Sequence, residues 1–202
     1  MSTADDILGF WFDQASDEAV INRAHPCYGR WFAGGTAIDE EIVRRFGADV
    51  EAARRGEYDA WKRERDGALA FIILTDQFPR HIYRQDPRAF DSDRAAFALA
   101  TELVECGADE NYPLVQRVFL YLPLQHSETI RDHEMAMERY TRLVVLAAER
   151  GLAISSFCQA ALVAEVEHID TLRQFSRYCY RNRALGRPST AEEDAYLAKQ
   201  AA

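Results

Sequence analysis

The sequence predicts an all-α protein, built as a stack of antiparallel helices joined by short turns. Apolar residues recur every three or four positions along most of the chain, which is the period of an amphipathic helix. Glycines and prolines fall at the ends of these periodic segments, where they serve as start and stop signals. Alternation with a period of two, which would indicate half-buried strands, is absent.

The composition indicates an ordinary globular protein. The chain has 202 residues, of which 48% are hydrophobic and 28% charged, and its formal net charge is -9. A chain of this size suits a single domain covering residues 1–202. An acidic surface repels phosphate backbones and anionic lipid, so we expect no nucleic-acid partner and no membrane partner. The longest apolar run, Ala68 to Leu74, is too short to span a bilayer.

Cysteine usage and the amino-terminal residues predict the compartment. The four cysteines are far apart and form no Cys-x-x-Cys pair, which is typical of reduced, mostly buried thiols. The first six residues contain no basic region of the kind that begins a signal peptide. Together these features predict a cytoplasmic location.

Two helices are predicted in the first part of the chain. Thr3 and Asp6 have the spacing of an amino-terminal cap, and the apolar face that follows contains Ile7, Phe10 and Trp11. Thr36 and Asp39 have the same spacing, and they precede an inward stripe at Ile38, Ile42, Phe46 and Val50. Gly56 is the expected carboxyl-terminal stop of this second helix.

The central helix is predicted at residues 59–77. Four consecutive apolar residues, Phe71 to Leu74, leave it no polar face, which indicates burial on all sides. Pro79 lacks an amide donor and disfavours helical geometry at Phe78, so we expect the helix to end or kink there. The break brings polar side chains to one end of a buried element, namely Asp76, Gln77, Arg80, Tyr83 and Arg84.

Two more helices follow the break. Ser92 is the expected cap of the first, and Gly107 its stop, with an inward stripe at Ala96, Ala100 and Leu103. Pro113 opens the next helix and Pro123 is expected to end it. Its inward residues are Val115, Val118, Phe119 and Leu122.

The last third of the chain predicts three helices. Ser127 or Thr129 begins a long one, whose stripe contains Met137, Tyr140 and Val144. The next covers about residues 154–175, with Leu162, Val166, Ile169 and Leu172 inward. A capping box opens the final helix, formed either by Ser189 with Glu192 or by Thr190 with Glu193.

These motifs resemble an uncharacterised, mainly bacterial family of unknown function. Its hallmark is an apolar run followed by Asp-Gln-Phe-Pro-Arg, here residues 76–80, and then Ile82, Tyr83 and Arg84. Further matches extend over nearly the whole chain: Phe10-Trp11-Phe12, Trp31-Phe32, Trp61, residues 121–124, residues 126–128, His168, Arg181-Asn182, residues 185–187 and Ser189-Thr190.

The resemblance implies an all-helical fold similar to tetratricopeptide-like arrays, and it implies no activity. One departure concerns residues 178–180, which read Tyr-Cys-Tyr where the family pattern usually reads Phe-Pro-His. A role for a histidine at the position of Tyr180 therefore does not transfer to this chain.

Two groups of cationic residues predict an anion site. Arg80 and Arg84 are four positions apart, so on a helix they share a face. Arg181, Asn182 and Arg187 form a second group near the carboxyl terminus. If the groups meet, together with Asp76 and Gln77, their guanidinium groups suit a carboxylate or phosphate. In the alternative interpretation, Asp76 and other acids pair with the arginines and only fix the helix junction.

A weaker pattern suggests acid–base chemistry. His126 lies beside Glu128, and His168 is a third candidate. In the alternative interpretation, Ser127 caps the next helix, Glu128 complements its positive end and His126 holds the turn. No His-Glu-x-x-His motif and no glycine-rich phosphate loop is present, so no metal site and no cofactor is predicted.

Three functions therefore remain open from the sequence. The first is a binding module whose arginines hold an anionic small molecule or a peptide carboxylate. The second is a small enzyme that uses the histidines and Glu128 for acid–base chemistry. The third is a structural or protein-interaction role in which the polar motif serves folding alone. Convergence of Arg80, Arg84, Arg187 and His126 on one cavity would favour the first two. The sequence does not indicate an oligomeric state.

Overall fold

The computed structural model describes residues 1–200, and within that range it contains helices and turns but no β-strand. This confirms the all-α prediction. The longer α-helices, with two short ones, are α1 (Ala4–Phe12), α2 (Pro26–Tyr28), α3 (Thr36–Arg54), α4 (Arg65–Ile72), α5 (Phe78–Ile82), α6 (Asp93–Glu105), α7 (Leu114–Gln125), α8 (Asp132–Glu149), α9 (Ser155–Phe175) and α10 (Ala191–Gln200).

Helix α4 occupies the centre of the molecule. It contacts α1, α6 and α7, while α7, α8 and α9 pack against one another in the second half of the chain. Buried side chains from α1 to α9 join in one hydrophobic cluster. No helix among residues 1–200 is long and apolar enough to cross a bilayer. The single-domain boundary and the likeness to tetratricopeptide arrays remain predictions.

The predicted 59–77 helix is present, but in three pieces. A 3-10 turn covers Asp59–Arg63, α4 follows, and a wide π-helical turn covers Ile73–Gln77. The apolar run is fully buried as predicted, with Phe71 and Leu74 at 1% and 0% exposure. This element therefore forms the central wall behind the polar cluster.

The expected stop at Pro79 is wrong. The chain stays helical through Pro79, which lies in the first turn of α5, and Tyr83 is the residue that ends the helix. A proline is tolerated in a first turn because its missing amide has no partner to lose there. The wide π-turn before it accommodates the interruption in the hydrogen-bond ladder. The polar residues after Leu74 thus remain on a helical surface rather than in a loop.

The capping predictions meet mixed outcomes. Thr3 and Asp6 form the predicted capping box. Thr190 and Glu193 form the second of the two alternatives at α10, with reciprocal bonds of 3.2 and 2.8 Å between side chain and backbone. The pair at Thr36 and Asp39 is wrong, because Gly35 is the cap residue of α3 and makes no side-chain bond.

The predicted helix ends and inward faces need correction in the second half of the chain. Pro123 lies inside α7, which continues to Gln125. Helix α8 begins at Asp132 rather than at Ser127 or Thr129, so its buried stripe contains His133, Ala136, Tyr140, Leu143 and Ala147. On α9, Val166 is 42% exposed, whereas Glu165 is fully buried. A buried glutamate breaks the apolar pattern, which misled the prediction of the inward face.

Candidate functional site

A cluster of charged side chains lies where the π-turn, α5, α6 and α7 meet. Its members are Asp76, Arg80, Asp93, His126 and Arg181, and we call this set the ionic cluster. Arg80 bridges the two acids, with 3.4 Å from Nη1 to Asp76 Oδ1 and 3.1 Å from Nη2 to Asp93 Oδ2. The first two residues belong to the predicted motif, and the others come from distant parts of the chain.

Asp76 is the fully buried anchor of the cluster, with 0% exposure. His126 Nδ1 lies 2.8 Å from its Oδ1 atom, and the Gln77 side-chain amide donates to its Oδ2 atom. Burial alone would raise the pKa of Asp76, but the Arg80 guanidinium and His126 outweigh it, and the pKa falls to about 2. Asp76 is therefore a carboxylate at neutral pH.

The state of Asp76 determines which nitrogen of His126 carries the proton. An ionised carboxylate only accepts hydrogen bonds, so Nδ1 must be the donor in the contact with Asp76. A neutral imidazole then has a bare acceptor at Nε2. Burial lowers the pKa of His126 to about 4, and Arg80 lowers it further against the effect of Asp76. The ring is thus neutral and holds one defined tautomer at physiological pH.

Asp93 is the second acid of the cluster, and its chemistry differs from that of Asp76. Burial raises its pKa to about 6, and the neighbouring Asp76 carboxylate adds to this against the pull of Arg80. Its Oδ1 atom is buried and has no hydrogen-bond partner among the described residues. Two neighbouring carboxyl groups with pKa values displaced in opposite directions are typical of acid–base sites, although structural ion-pair networks also produce them.

Arg181 closes the cluster from the carboxyl-terminal segment. Its guanidinium stacks 4.8 Å from the ring centres of Phe90 and Tyr178, and Nη2 donates to the His126 carbonyl over 3.0 Å. Its Nη1 atom lies 3.6 Å from Asp93 Oδ2. Such stacking suits the planar guanidinium group. Arg181 therefore holds the turn that carries His126 against α6.

Two cavities open beside the ionic cluster. The first, which we call the arginine cavity, has a volume of about 500 Å³ and is lined by Arg80, Arg84, Gln85, Ala89, Phe90, His126, Tyr180, Arg183 and Ala184. The second has about 390 Å³, and its lining includes Asp93, Arg94, Ser127, Glu128, Asp132 and Arg181. Phe90 and His126 line both cavities. His126 is thus the polar group at their junction.

The structure brings together some of the predicted site residues and separates others. Arg80, Arg84 and His126 line the arginine cavity, as the anion hypothesis requires. Arg84 is held there by Asp39, its Nη2 atom lying 2.9 Å from Oδ1, and His81 Nδ1 lies 2.8 Å from the same oxygen. Asp39 therefore fixes Arg84 at the rim and does not act as the cap that its spacing suggested.

Arg187 and Asn182 have structural roles. Arg187 binds Glu128 through two contacts of 2.7 and 3.0 Å and donates to Asn182 Oδ1 over 3.0 Å. Asn182 is 1% exposed, and its amide donates to Ser189 and Glu193. Neither residue lines the arginine cavity. The internal-pairing interpretation thus accounts for this part of the predicted cationic group.

The predicted acid–base set is not assembled as a unit. Glu128 accepts from Arg187 and from the Tyr178 amide, so its contacts fix the carboxyl-terminal segment. His168 Nδ1 donates to the Ala164 carbonyl over 2.7 Å, and it lines a separate cavity with Thr171 and Tyr196. The acid that contacts His126 is Asp76, which lies 50 positions away in sequence.

A second histidine–carboxylate pair lies deeper in the fold. His133 and Glu165 are 1% and 0% exposed, with 2.7 Å between Nδ1 and Oε1. His133 Nε2 lies 2.9 Å from the Ser127 carbonyl. Burial lowers the pKa of His133, but its bonds to Glu165 and Ser127 outweigh this and the pKa is raised. Both nitrogens have internal partners, so this pair is a packing element between α8 and α9.

Sequence reasoning missed several residues of the site. Asp93 was assigned only to the first turn of α6, and Phe90, Tyr180 and Arg183 were not selected as binding residues. Arg183 is exposed and makes no ion pair with any residue in the described range. Its position two residues after Arg181 was the available signal. No group of three or more metal-binding side chains occurs among residues 1–200.

Comparison with known proteins places the chain in a family. A model described as a bacterial protein of unknown function, DUF924, matches residues 7–201. The chain belongs to the DUF924 family. No functionally curated protein matches it. A solved structure of a protein of unknown function from Agrobacterium tumefaciens is similar over 97% of both chains, with 30% sequence identity and a TM-score of 0.77. This DUF924 member therefore shares its fold with a structure whose function is likewise unknown.

Proposed function

We propose that this protein binds an anionic small molecule in the arginine cavity. The observation that carries this proposal is the composition of the cavity wall, where three arginines meet and no carboxylate occurs among the lining residues described. Guanidinium groups in a partly enclosed space attract carboxylates and phosphates through charge-assisted hydrogen bonds. Attraction of an anion here works against the overall charge of -9, which makes the local arrangement specific.

The internal acids leave a surplus of positive charge at this place. Arg80 is shared by Asp76 and Asp93, and Arg84 is held by Asp39. Arg183 has no such partner in the described part of the chain. The cavity thus combines two arginines in fixed positions with one that is available to a ligand.

The size and walls of the cavity favour a metabolite over a peptide. A volume of about 500 Å³ lies within the range of about 300–1,000 Å³ that is usual for small-molecule sites. Phe90 and Tyr180 provide flat apolar surface next to the arginines. A carboxylate at the end of a peptide is the alternative occupant, and a peptide would extend beyond the rim.

The test is a thermal-shift screen with anionic metabolites, followed by calorimetry on the compounds that stabilise the protein. Arg183→Ala is the informative variant because Arg183 is exposed and unpaired, so its loss leaves the fold intact. We expect affinity to fall about tenfold or more, as for loss of one charge-assisted hydrogen bond. Arg173→Ala is the matched control, since Arg173 is 68% exposed on α9 and does not line the cavity.

The outcome of this screen separates the binding module from the structural role. If no anion stabilises the wild-type protein, or if Arg183→Ala and Arg173→Ala bind equally well, the arginine cavity is not an anion site. Arg80→Ala is less informative, because Arg80 contacts the buried Asp76 and its loss would also destabilise the fold.

Acid–base catalysis is a second candidate, favoured by the contact between Asp76 and His126. A buried carboxylate that fixes the tautomer of a histidine is the arrangement that enzymes use to position a base. Proton NMR of each bound anion, incubated with the protein in D2O, tests this candidate. Exchange or conversion that is lost in His126→Asn supports catalysis, whereas an unchanged ligand supports binding alone.

We also propose that the protein acts in the cytoplasm. All four cysteines are free thiols, and three of them are buried, which suits a reducing compartment. Alkylation of thiols in intact cells, followed by mass spectrometry, is expected to find Cys106 modified and no disulfide. The acidic charge supports a small-molecule partner rather than nucleic acid.

A further inference from the structure

We propose that the arginine cavity selects anions that also carry a hydroxyl group, and that this hydroxyl donates a hydrogen bond to Nε2 of His126. The ligand class is a small hydroxy acid, or a comparable oxyanion with a protonated oxygen. This inference rests on the proposed function, because it concerns which anions the same cavity prefers.

The first step concerns the donors that surround Asp76. The Gln77 amide, the Arg80 guanidinium and the His126 ring all direct polar hydrogens or nitrogens at this one carboxylate. Amide and guanidinium groups are donors at these atoms, so the carboxylate accepts every contact. Only the Nδ1–H tautomer of His126 completes the arrangement, and it leaves Nε2 as an acceptor.

The second step concerns the open side of the imidazole ring. His126 lines both cavities, and Nε2 forms no hydrogen bond with any protein atom in the described range. Asp76 cannot turn to release the ring, because it is fully buried among its donors. The acceptor is therefore presented to the cavity in a fixed position.

The third step concerns the other polar groups of the cavity. Arg80, Arg84 and Arg183 are donors only. A simple carboxylate satisfies the arginines but gives nothing to Nε2, and an acceptor left without a partner in a closed site costs about 1–3 kcal/mol. A hydroxyl on the same ligand supplies the missing donor. A site built to bond a hydroxyl rejects the analogue that lacks it.

Calorimetry with malate and succinate tests this preference. The two dicarboxylates differ only by one hydroxyl group, so their affinities compare the hydrogen bond directly. For the wild-type protein at neutral pH we expect malate to bind about tenfold more tightly than succinate. Equal affinities would overturn the selectivity and leave the anion site intact. Failure of both compounds to bind would overturn the anion site itself and the selectivity with it.

Two substitutions at His126 keep the test independent of folding. In His126→Asn the amide occupies the place of Nδ1 and donates to Asp76, but no acceptor remains at the place of Nε2. In His126→Gln the longer amide offers an oxygen near the Nε2 position. We expect the preference for malate to disappear in His126→Asn and to persist in part in His126→Gln. An undiminished preference in His126→Asn would show that the hydroxyl binds elsewhere.

Discussion

Replacement of Asp76 by asparagine removes one negative charge from the centre of the ionic cluster and keeps its volume. Asp76 is 0% exposed and accepts contacts from Gln77, Arg80 and His126. In the variant, an amide donor faces donors that previously met a carboxylate. Arg80 keeps only its contact with Asp93. We therefore expect a large loss of stability from a change of very few atoms.

Two lines of reasoning give the size of this loss. The pKa of Asp76 falls from 3.8 to about 2 in the folded state, and each pKa unit corresponds to about 1.4 kcal/mol, so the fold favours the ionised form by roughly 2 kcal/mol. Removal of one partner from a buried ion pair typically costs about 3–5 kcal/mol. The second figure is larger because it includes the donors left facing one another. We expect a decrease of roughly 3 kcal/mol in the free energy of unfolding.

The assay is urea denaturation of both proteins at pH 7, followed by circular dichroism. Asp86→Asn is the matched control, because Asp86 also pairs with an arginine, Arg88, but both side chains are exposed to solvent. Its loss should stay below about 1 kcal/mol. If Asp76→Asn and Asp86→Asn are equally stable, Asp76 does not anchor a buried cluster and the tautomer assigned to His126 has no support.

Two further predictions concern the core and the histidines. Leu74→Ala should lower the free energy of unfolding by about 3 kcal/mol, since Leu74 is 0% exposed; the same denaturation experiment measures it, with the 56% exposed Val163→Ala as control. In a 15N NMR titration, His126 should stay neutral until the pH falls to about 4, because its pKa is lowered, whereas His133 should stay protonated above pH 6.5, because its pKa is raised.

These results have clear contrary outcomes. A Leu74→Ala variant as stable as Val163→Ala would place the apolar run outside the core. Titration of His126 near pH 6.5 would mean that neither burial nor Arg80 acts on its ring, and the neutral acceptor at Nε2 would then be lost in mildly acidic solution. If His133 titrates below His126, the assignment of the two histidine–carboxylate pairs is reversed.

The sequence predicted what depends on neighbours along the chain. The capping box at Thr3 and the burial of Phe71 and Leu74 follow from side chains within a few positions of one another. Local spacing also misled the analysis where a tertiary contact was stronger. Asp39 had the spacing of a cap residue, but His81 and Arg84 hold it instead.

The site could be located from the sequence but not assembled from it. Arg80, Arg84 and His126 were selected because cations and a histidine follow apolar helices, and all three line the arginine cavity. The contact of His126 with Asp76 spans 50 positions, and that of Arg187 with Glu128 spans 59. Such pairs depend on how helices pack, and one sequence does not reveal this. The adjacent Glu128 was therefore chosen as the partner of His126 in place of Asp76.

The central claim is that an anion binds between the arginines of the cavity. NMR detection of arginine Nε–Hε groups during a titration with malate tests it most directly, because each arginine reports on its own environment. The account predicts saturable shifts of the Arg80, Arg84 and Arg183 signals, while the signals of Arg173 and Arg187 stay in place. Shifts that are absent, that grow without saturation, or that are largest at Arg173 or Arg187 would contradict it.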